Sequence, residues 1–249
     1  MDDFKFKNIT ASQMGVYCKI VSYPLFPEPK TCFEDLPGCD GEMDFSANNE
    51  RGRTCFKPRY IELECHVAQD NGSKKEFSEK LSKIASWLHS ESQEELIFTD
   101  DENMVYLAKA ANLFNIENVT ETSATFPLIF RCDPFKYKAE KTILTTDSNI
   151  VTVQNGGYFS GFDLKLTGVI SNPFEITNGT KKLRIDYPLT NESTLKITTE
   201  QMNVTHNGLS ILNYCDGEFF ELSPGENQIT LNGDFSSLQM ELSFRERYL

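Results

Sequence analysis

The chain is short of basic residues. Against 37 Asp and Glu it has 24 Lys and Arg, which gives a formal charge of -13 and a pI near 4.7. A surface that binds nucleic acid or anionic lipid needs a basic excess, because it gains affinity by neutralising phosphates and releasing their counterions. The composition therefore argues against a protein whose main task is to hold DNA, RNA or an anionic membrane.

Long hydrophobic runs are also missing. No apolar stretch approaches the roughly 20 residues that a membrane-spanning helix needs. The first residues, MDDFKF, lack the basic and then apolar order of a signal peptide. We therefore expect a chain that is made and folded in a cytoplasm, without membrane insertion.

Paired cysteines are absent. The seven cysteines are an odd number and include no CxxC pair. A zinc site built from Cys32, Cys39, Cys55 and Cys65 is an alternative, but these spacings match no known ribbon or finger. Because intracellular cysteines behave mostly as small hydrophobes, we expect free thiols, buried or in loops.

Catalytic motifs are missing as well. The three histidines, His66, His89 and His206, have no metal-ligand spacing, and the chain has no nucleophile elbow, Walker loop or GxGxxG. Paired carboxylates of a glycoside hydrolase leave no spacing signature in a sequence, so a hydrolase stays an alternative. We expect no catalytic residue, no metal and no cofactor.

What the chain does contain begins with a double turn at 36–46, LPGCDGEMDFS. Gly38 follows a proline and Gly41 follows an aspartate, so the backbone is predicted to turn twice within a few residues. A short strand follows, in which Met43 and Phe45 share one face. Proline-rich residues 23–29 precede this turn.

A strand and a helix come next. Residues 60–67 alternate strictly between polar and apolar, which predicts a strand. Ser73 and Glu76 have the spacing of a capping box, which predicts a helix over about 73–89. The predicted apolar stripe of that helix is Phe77, Leu81, Ile84, Ala85 and Leu88, and Trp87 borders it as a core anchor. A hairpin is predicted at 96–108.

Beyond about residue 140 the helical period disappears. Short alternating runs are separated by Asn-Gly or Asp-Gly, which favour hairpins, at 155–156, 178–179, 207–208, 216–217 and 232–233. The predicted strands are 150–153, 162–166, 183–185, 195–197, 209–212, 229–231 and 238–244. This spacing is typical of an antiparallel β-sandwich. The fold class is therefore mainly β, with an N-terminal β-sandwich or barrel carrying one α-helix at 1–135 and a C-terminal antiparallel β-sandwich at 136–249.

The order of these pieces resembles the distal tail proteins of long-tailed bacteriophages. The resemblance rests on five segments: the PGxDGE turn, the Arg-then-strand segment 59–67, the helix, the hairpin at 96–108 and the LxPGxNxI turn within 219–229. Together they cover nearly the whole chain. Cys39 departs from the pattern, because many relatives carry Arg between the two turns.

The resemblance implies a tail-tube-like first domain, a second domain similar to galectins or carbohydrate-binding modules, and no catalysis. It also implies a virion structural protein at the tail tip, where six copies form a ring that can stack on another. The implied partners are the tail tube protein, the tail-associated or tail spike protein and the receptor-binding proteins. DNA would pass through the channel of the ring without specific binding.

A different class of function stays open beside this one. Tyr158, Phe159 and Phe162, near the start of the second domain, could form an aromatic platform for a sugar ring or a partner. The competing interpretation is that the three rings pack in the core or at an interface, which is favoured because architecture alone does not imply a site. A carbohydrate-binding or adhesion module without catalysis is therefore the alternative function.

Overall fold

A computed structural model of the chain describes residues 3–49, 52–69, 73–111, 122–190 and 193–249. The chain divides into two compact units, Met1–Lys136 together with Leu249, and Tyr137–Tyr248. We call them the first and second unit. The described residues are mainly β-strand and hold one α-helix, which confirms the predicted fold class.

The first unit is built on one curled sheet. Its elements are β1 (Phe4–Phe6), β2 (Ile9–Thr10), β3 (Val16–Ser22), β4 (Phe33–Asp35), β5 (Glu42–Asp44), β6 (Arg59–Ala68), α1 (Lys74–Leu88), β7 (Glu94–Phe98), β8 (Met104–Ala110) and β9 (Ser123–Lys138). The main sheet has the order β2-β1-β7-β8-β9-β6-β3, while β4 and β5 pair only with each other. Because residues 11–15 alone join β2 to β3, the two ends of the sheet lie within the reach of a short loop.

Helix α1 packs against this sheet. Ser73 is its N-cap, and both bonds of the predicted capping box to Glu76 are present. Trp87 is only 6% exposed, stacks on Phe4 with 5.7 Å between ring centroids, and donates from Nε1 to the carbonyl of Phe6 at 2.9 Å. Trp87 is therefore the predicted core anchor.

The buried face of α1 differs in one position from the predicted stripe. Ala85 is exposed, whereas Trp87 is buried with Phe77, Ile84 and Leu88. The hydrogen bond and the ring stack of Trp87 bring its side of the helix towards the sheet. Ala85, a small side chain that gains little from burial, is left on the solvent side.

The second unit is an antiparallel β-sandwich. Its elements are β10 (Thr142–Thr146), β11 (Ile150–Asn155), β12 (Phe162–Ile170), β13 (Phe174–Asn178), β14 (Lys181–Ile185), β15 (Thr194–Thr198), β16 (Asn203–His206), β17 (Leu209–Ser210), β18 (Cys215–Gly217), β19 (Gly225–Asn232), β20 (Phe235–Phe244) and β21 (Arg247–Tyr248). One sheet has the order β10-β20-β12-β15-β16-β17 and the other β11-β19-β13-β14-β18. Leu164, Leu166, Ile176, Leu231 and Leu242 are among the buried residues of its core.

Of the five predicted hairpin turns, two are confirmed and three are wrong. Asn207-Gly208 joins β16 to β17 as a two-residue loop, with φ of 47° and 83°, and the turn after β13 uses Gly179. The dipeptides at 155–156 and 232–233 instead connect strands of different sheets, and Asp216-Gly217 lies inside β18. The predicted strand 209–212 is also shorter, because β17 ends at Ser210 and Leu212–Tyr214 forms a 3-10 turn.

Candidate functional site

The most exposed element of the first unit is an excursion of the chain between β3 and β6. We call residues 24–57 the arm. The hairpin of β4 and β5 lies within it, with Asp35 opposite Glu42 and the loop 36–41 between them. Gly38 and Gly41 have φ of 83° and 76°, a region that favours glycine, so the predicted double turn is confirmed.

The base of the arm is held by its own backbone. Pro29 and Phe56 form an isolated β-bridge, the amide of Lys30 donates to Cys55 at 2.7 Å and the amide of Lys57 donates to Glu28 at 2.8 Å. Lys57 Nζ also lies 2.6 Å from Glu28 Oε1, although both side chains are largely exposed, so this ion pair contributes little. The two limbs of the arm therefore leave the sheet as a paired ribbon.

Arg59, the first residue of β6, fixes the point where the arm departs. It is 2% exposed. Its Nε donates to the carbonyl of Pro134 at 2.6 Å, and Nη1 donates to the carbonyls of Pro24 and Leu25 at 3.4 and 3.3 Å. Its guanidinium also lies over the ring of Tyr106, 6.0 Å from the centroid. Arg59, which opens the predicted segment 59–67, therefore holds the start of the arm against Pro134, near the end of the first unit.

The groups around Arg59 are not poised for acid-base chemistry. The hydroxyls of Tyr23 and Tyr106 are hydrogen-bonded to each other. Burial, followed by the bond from Tyr23, raises the pKa of Tyr106 well above its usual value, and burial raises the pKa of Cys132 to about 12. Burial also lowers the pKa of Arg59, but a guanidinium starts from such a high value that it stays charged. A protonated Tyr106, a protonated Cys132 and a charged Arg59 make this a structural cluster.

The exposed large apolar side chains of the first unit are concentrated around the arm. Leu25 is 83% exposed, Phe26 60%, Phe33 51% and Met43 46%. Apart from the chain end at Leu249, every exposed large apolar side chain among the described residues of this unit lies between 9 and 60, and the described residues of 61–136 contribute none. A lone exposed Leu needs no explanation, but such a concentration is typical of a surface that contacts another molecule.

The charge of the arm hairpin is entirely negative. Residues 33–44 contain five acids and no base, namely Glu34, Asp35, Asp40, Glu42 and Asp44. The register of the hairpin puts Phe33 on the face of Asp44 and Met43 on the opposite face, beside Glu34. Each face therefore presents one exposed apolar side chain next to acidic residues, which suits contacts that bury an apolar group and select the partner by charge.

The aromatic residues predicted as a platform lie at different depths in the second unit. Phe162 is 4% exposed and packs against Phe220, with 5.8 Å between ring centroids. Tyr158 and Phe159 are half-buried and contact each other edge to face at 5.3 Å. Phe162 is part of the core, so a sugar or partner contact at these residues, which stays a prediction, would involve Tyr158 and Phe159.

Asn227 explains the LxPGxNxI turn of the second unit. It is 3% exposed. Its Oδ1 accepts from the amide of Ser223 at 2.9 Å, and its Nδ2 donates to the carbonyls of Ser223 and Gly225 at 2.8 and 3.0 Å. Asn178 Nδ2 also donates to the same Oδ1 at 3.1 Å. The amide side chain of Asn227 thus provides hydrogen-bond partners for the backbone of the turn and connects the turn to β13 through Asn178.

Replacing Asn227 with Ala is expected to lower the free energy of unfolding of the second unit by about 3 kcal/mol, because buried backbone groups lose their partners. Denaturation followed by far-UV circular dichroism measures the loss. Asn232→Ala is the matched control, since Asn232 is exposed and makes a single bond from Nδ2 at 3.3 Å to Thr177. A loss no greater than that of the control would contradict the assigned role of Asn227.

Clusters of side chains that could bind a metal ion are absent from the described part of the chain. No group of three or more His, Cys, Asp or Glu side chains is arranged to hold a metal ion among those residues. All seven cysteines are free thiols, as predicted. Nor does any helix among the described residues have the length and apolar character to cross a bilayer.

The comparisons with known proteins agree with this structural role. The sequence profile of a siphovirus-type tail component, C-terminal domain, matches residues 159–248, and that of a phage tail protein RIFT-related domain matches residues 9–132. No curated protein matches the chain. The crystal structure of the Dit protein of phage SPP1, described as a hub of the adsorption apparatus in phages that infect Gram-positive bacteria, shares the fold with a TM-score of 0.76 at 14% identity, over 100% of both chains. The chain therefore belongs to the distal tail proteins of siphophages, which are structural components of the phage tail tip.

Proposed function

We propose that six copies of this chain form a ring that joins the tail tube to the tail-associated protein and the host-recognition apparatus. The observation that carries the proposal is the concentration of exposed apolar side chains between residues 9 and 60. A single chain in water would leave this surface uncovered. A neighbouring copy in a ring would cover it.

The form of the arm favours a ring over a dimer. The arm contributes a projecting hairpin, which differs in shape and charge from the sheet and helix of the same unit. A contact between two unlike surfaces is head-to-tail, and repeated head-to-tail contacts close into a ring when the rotation allows. We therefore assign the arm hairpin to the interface between successive copies.

The two units would divide the contacts between them. The predicted first domain, 1–135, would form the ring and its channel and contact the tail tube and the tail-associated protein. The predicted second domain, 136–249, would hold receptor-binding proteins. The exposed Leu209, Leu212 and Tyr214 of the second unit, at and beside the edge strand β17, are suited to that contact.

The acidity of the chain suits passage of DNA through such a ring. With a formal charge of -13 per copy, the assembly would gain nothing from releasing the counterions of DNA. DNA would therefore pass the channel without specific binding. The role proposed for every copy is architectural, with no reaction to catalyse.

Electron microscopy of the purified full chain tests the ring. Negatively stained particles, with and without the tail tube protein, are expected to give averages with sixfold symmetry in at least one of the two samples. Single chains in both samples would contradict the proposal.

A second candidate is carbohydrate binding by the second unit, favoured by the half-buried neighbours Tyr158 and Phe159. Calorimetry with host cell-wall sugars is expected to show binding that Tyr158→Ala removes, because a sugar ring stacks on an aromatic face. Heats that are equal for the unsubstituted chain and the variant would exclude this site.

A further inference from the structure

We propose that Cys18 and Cys65 are a cross-linking site, and that they join in a disulfide between β3 and β6 once the tail has left the reducing cytoplasm. The inference uses the tail location of the family and does not depend on the number of copies in the ring. In the described structure both residues are thiols. Their arrangement is the first part of the argument.

The two cysteines face each other across an antiparallel pair. Cys18 is the register partner of Cys65, and their Sγ atoms are 3.1 Å apart. Directly opposed residues in antiparallel strands have Cα atoms about 4.5 to 5.5 Å apart, within the range that a disulfide spans. An S–S bond is about 2.05 Å long, so the sulfur atoms need to approach by about 1 Å. The backbone is already in place for the bond.

No other cysteine has such a partner among the sulfur contacts of the described residues. Cys132 is as deeply buried as Cys65, but its thiol contacts the backbone carbonyl of Phe130 at 3.8 Å. Cys32 and Cys39 are exposed on the arm, while Cys55 and Cys215 are half-buried. The closeness of Cys18 and Cys65 is therefore specific to this pair.

The burial of the two sulfur atoms means that the disulfide can form only when β3 opens. Cys18 is 2% and Cys65 0% exposed, so an oxidant does not reach them in the closed sheet. The hydrogen bond with Cys18 and then burial raise the pKa of Cys65, which keeps it a thiol. However, β3 is an edge strand that pairs only with β6, and edge strands open locally more readily than central ones. Opening of β3 exposes both sulfur atoms together.

The chemistry balances with a small peroxide as oxidant. One thiolate attacks a peroxide oxygen, the O–O bond breaks, and the sulfur becomes a sulfenic acid while hydroxide takes up a proton and leaves as water. The second thiol attacks that sulfur, the S–S bond forms, and the hydroxyl leaves as a second water. Two thiols are oxidised and one hydrogen peroxide is reduced to two waters.

The disulfide would close the part of the chain that contains the arm. The two cysteines are 47 positions apart, and the whole arm lies between them. Cross-linking removes conformational freedom of this loop from the unfolded state and prevents β3 from separating from β6. The link would therefore fasten both limbs of the arm at their root.

Differential thiol labelling of the full chain tests the proposal. A short pulse of N-ethylmaleimide blocks the accessible thiols of the folded chain, hydrogen peroxide is then added, and the remaining thiols are labelled after unfolding with a heavier maleimide. Mass spectrometry of the peptides is expected to find Cys18 linked to Cys65 and Cys132 carrying the heavy label. The cross-linked chain is expected to melt at least about 5 °C higher, and reductant is expected to remove the increase.

Two variants control the assignment. In Cys18→Ala, Cys65 is expected in no cross-link, as a heavy-labelled thiol or as its sulfinic acid, and the melting temperature is expected not to respond to peroxide, whereas Cys132→Ala retains the link. Free heavy-labelled Cys18 and Cys65 in the oxidised chain, or either cysteine linked elsewhere, would overturn the proposal. A link that leaves the melting temperature unchanged would overturn its stabilising role.

Discussion

Replacing Phe33 and Met43 together with serine is expected to convert the proposed ring into single chains. Both side chains are about half exposed on the arm hairpin, so their loss removes nothing from the core. If neighbouring copies cover both faces of the hairpin, the substitution removes about 4 kcal/mol of association free energy per hairpin, roughly a thousandfold in association constant. Light scattering of the two proteins at the same concentration measures the change.

The control for this experiment is the double variant Ile143→Ser with Phe235→Ser in the second unit. These side chains are 60% and 40% exposed, so the apolar area lost is comparable. The control is expected to form rings like the unsubstituted chain, and all three proteins are expected to unfold at similar temperatures. Rings that persist in the arm variant would show that the interface lies elsewhere.

Replacing Arg59 with Ala is expected to lower the free energy of unfolding of the first unit by about 4 kcal/mol. The substitution leaves a buried cavity and deprives the carbonyls of Pro24, Leu25 and Pro134 of their donor. Trp87 is the only tryptophan of the chain, so its fluorescence reports denaturation of the first unit alone. Amide hydrogen exchange at Lys30 and Lys57, whose amides bond across the base of the arm, is expected to accelerate as the root of the arm loosens.

Two further substitutions separate geometry from charge. Arg59→Lys keeps the cation but loses the guanidinium fork, so it is expected to lose at least half as much stability as the alanine variant. Arg131→Ala removes an exposed arginine from β9 and is expected to change stability by less than about 0.5 kcal/mol. If Arg59→Ala were as mild as Arg131→Ala, the clamp at the root of the arm would be refuted.

Much of the fold could be predicted from patterns among residues that are close in sequence. The capping box at Ser73, the alternation of β6 and the hairpin of β7 and β8 were predictable because each depends on neighbouring residues. The Asn-Gly turns failed at 155–156 and 232–233 because those dipeptides connect strands of different sheets. Asn155 shows the physical reason, since it is buried and its Nδ2 donates to the carbonyls of Tyr158 and Leu222. Its role depends on contacts distant in sequence.

The candidate site was predictable only in part. The double turn follows from Gly38 and Gly41, and the burial of Arg59 follows from the period of β6, because Arg59 shares the inward face with Ile61 and Leu63. The exposure of Phe26 and Phe33 does not follow from the sequence, since apolar residues usually indicate a core. Only the structure shows that the folded chain leaves them outside.

The most direct test of the ring is native mass spectrometry of the full chain, alone and with the tail tube protein. The chain has a mass of 28.4 kDa, so the account predicts an assembly of six copies near 170 kDa in at least one sample. It also predicts single chains in both samples when Phe33 and Met43 are replaced by serine. An unsubstituted chain that stays single in both samples would contradict the account.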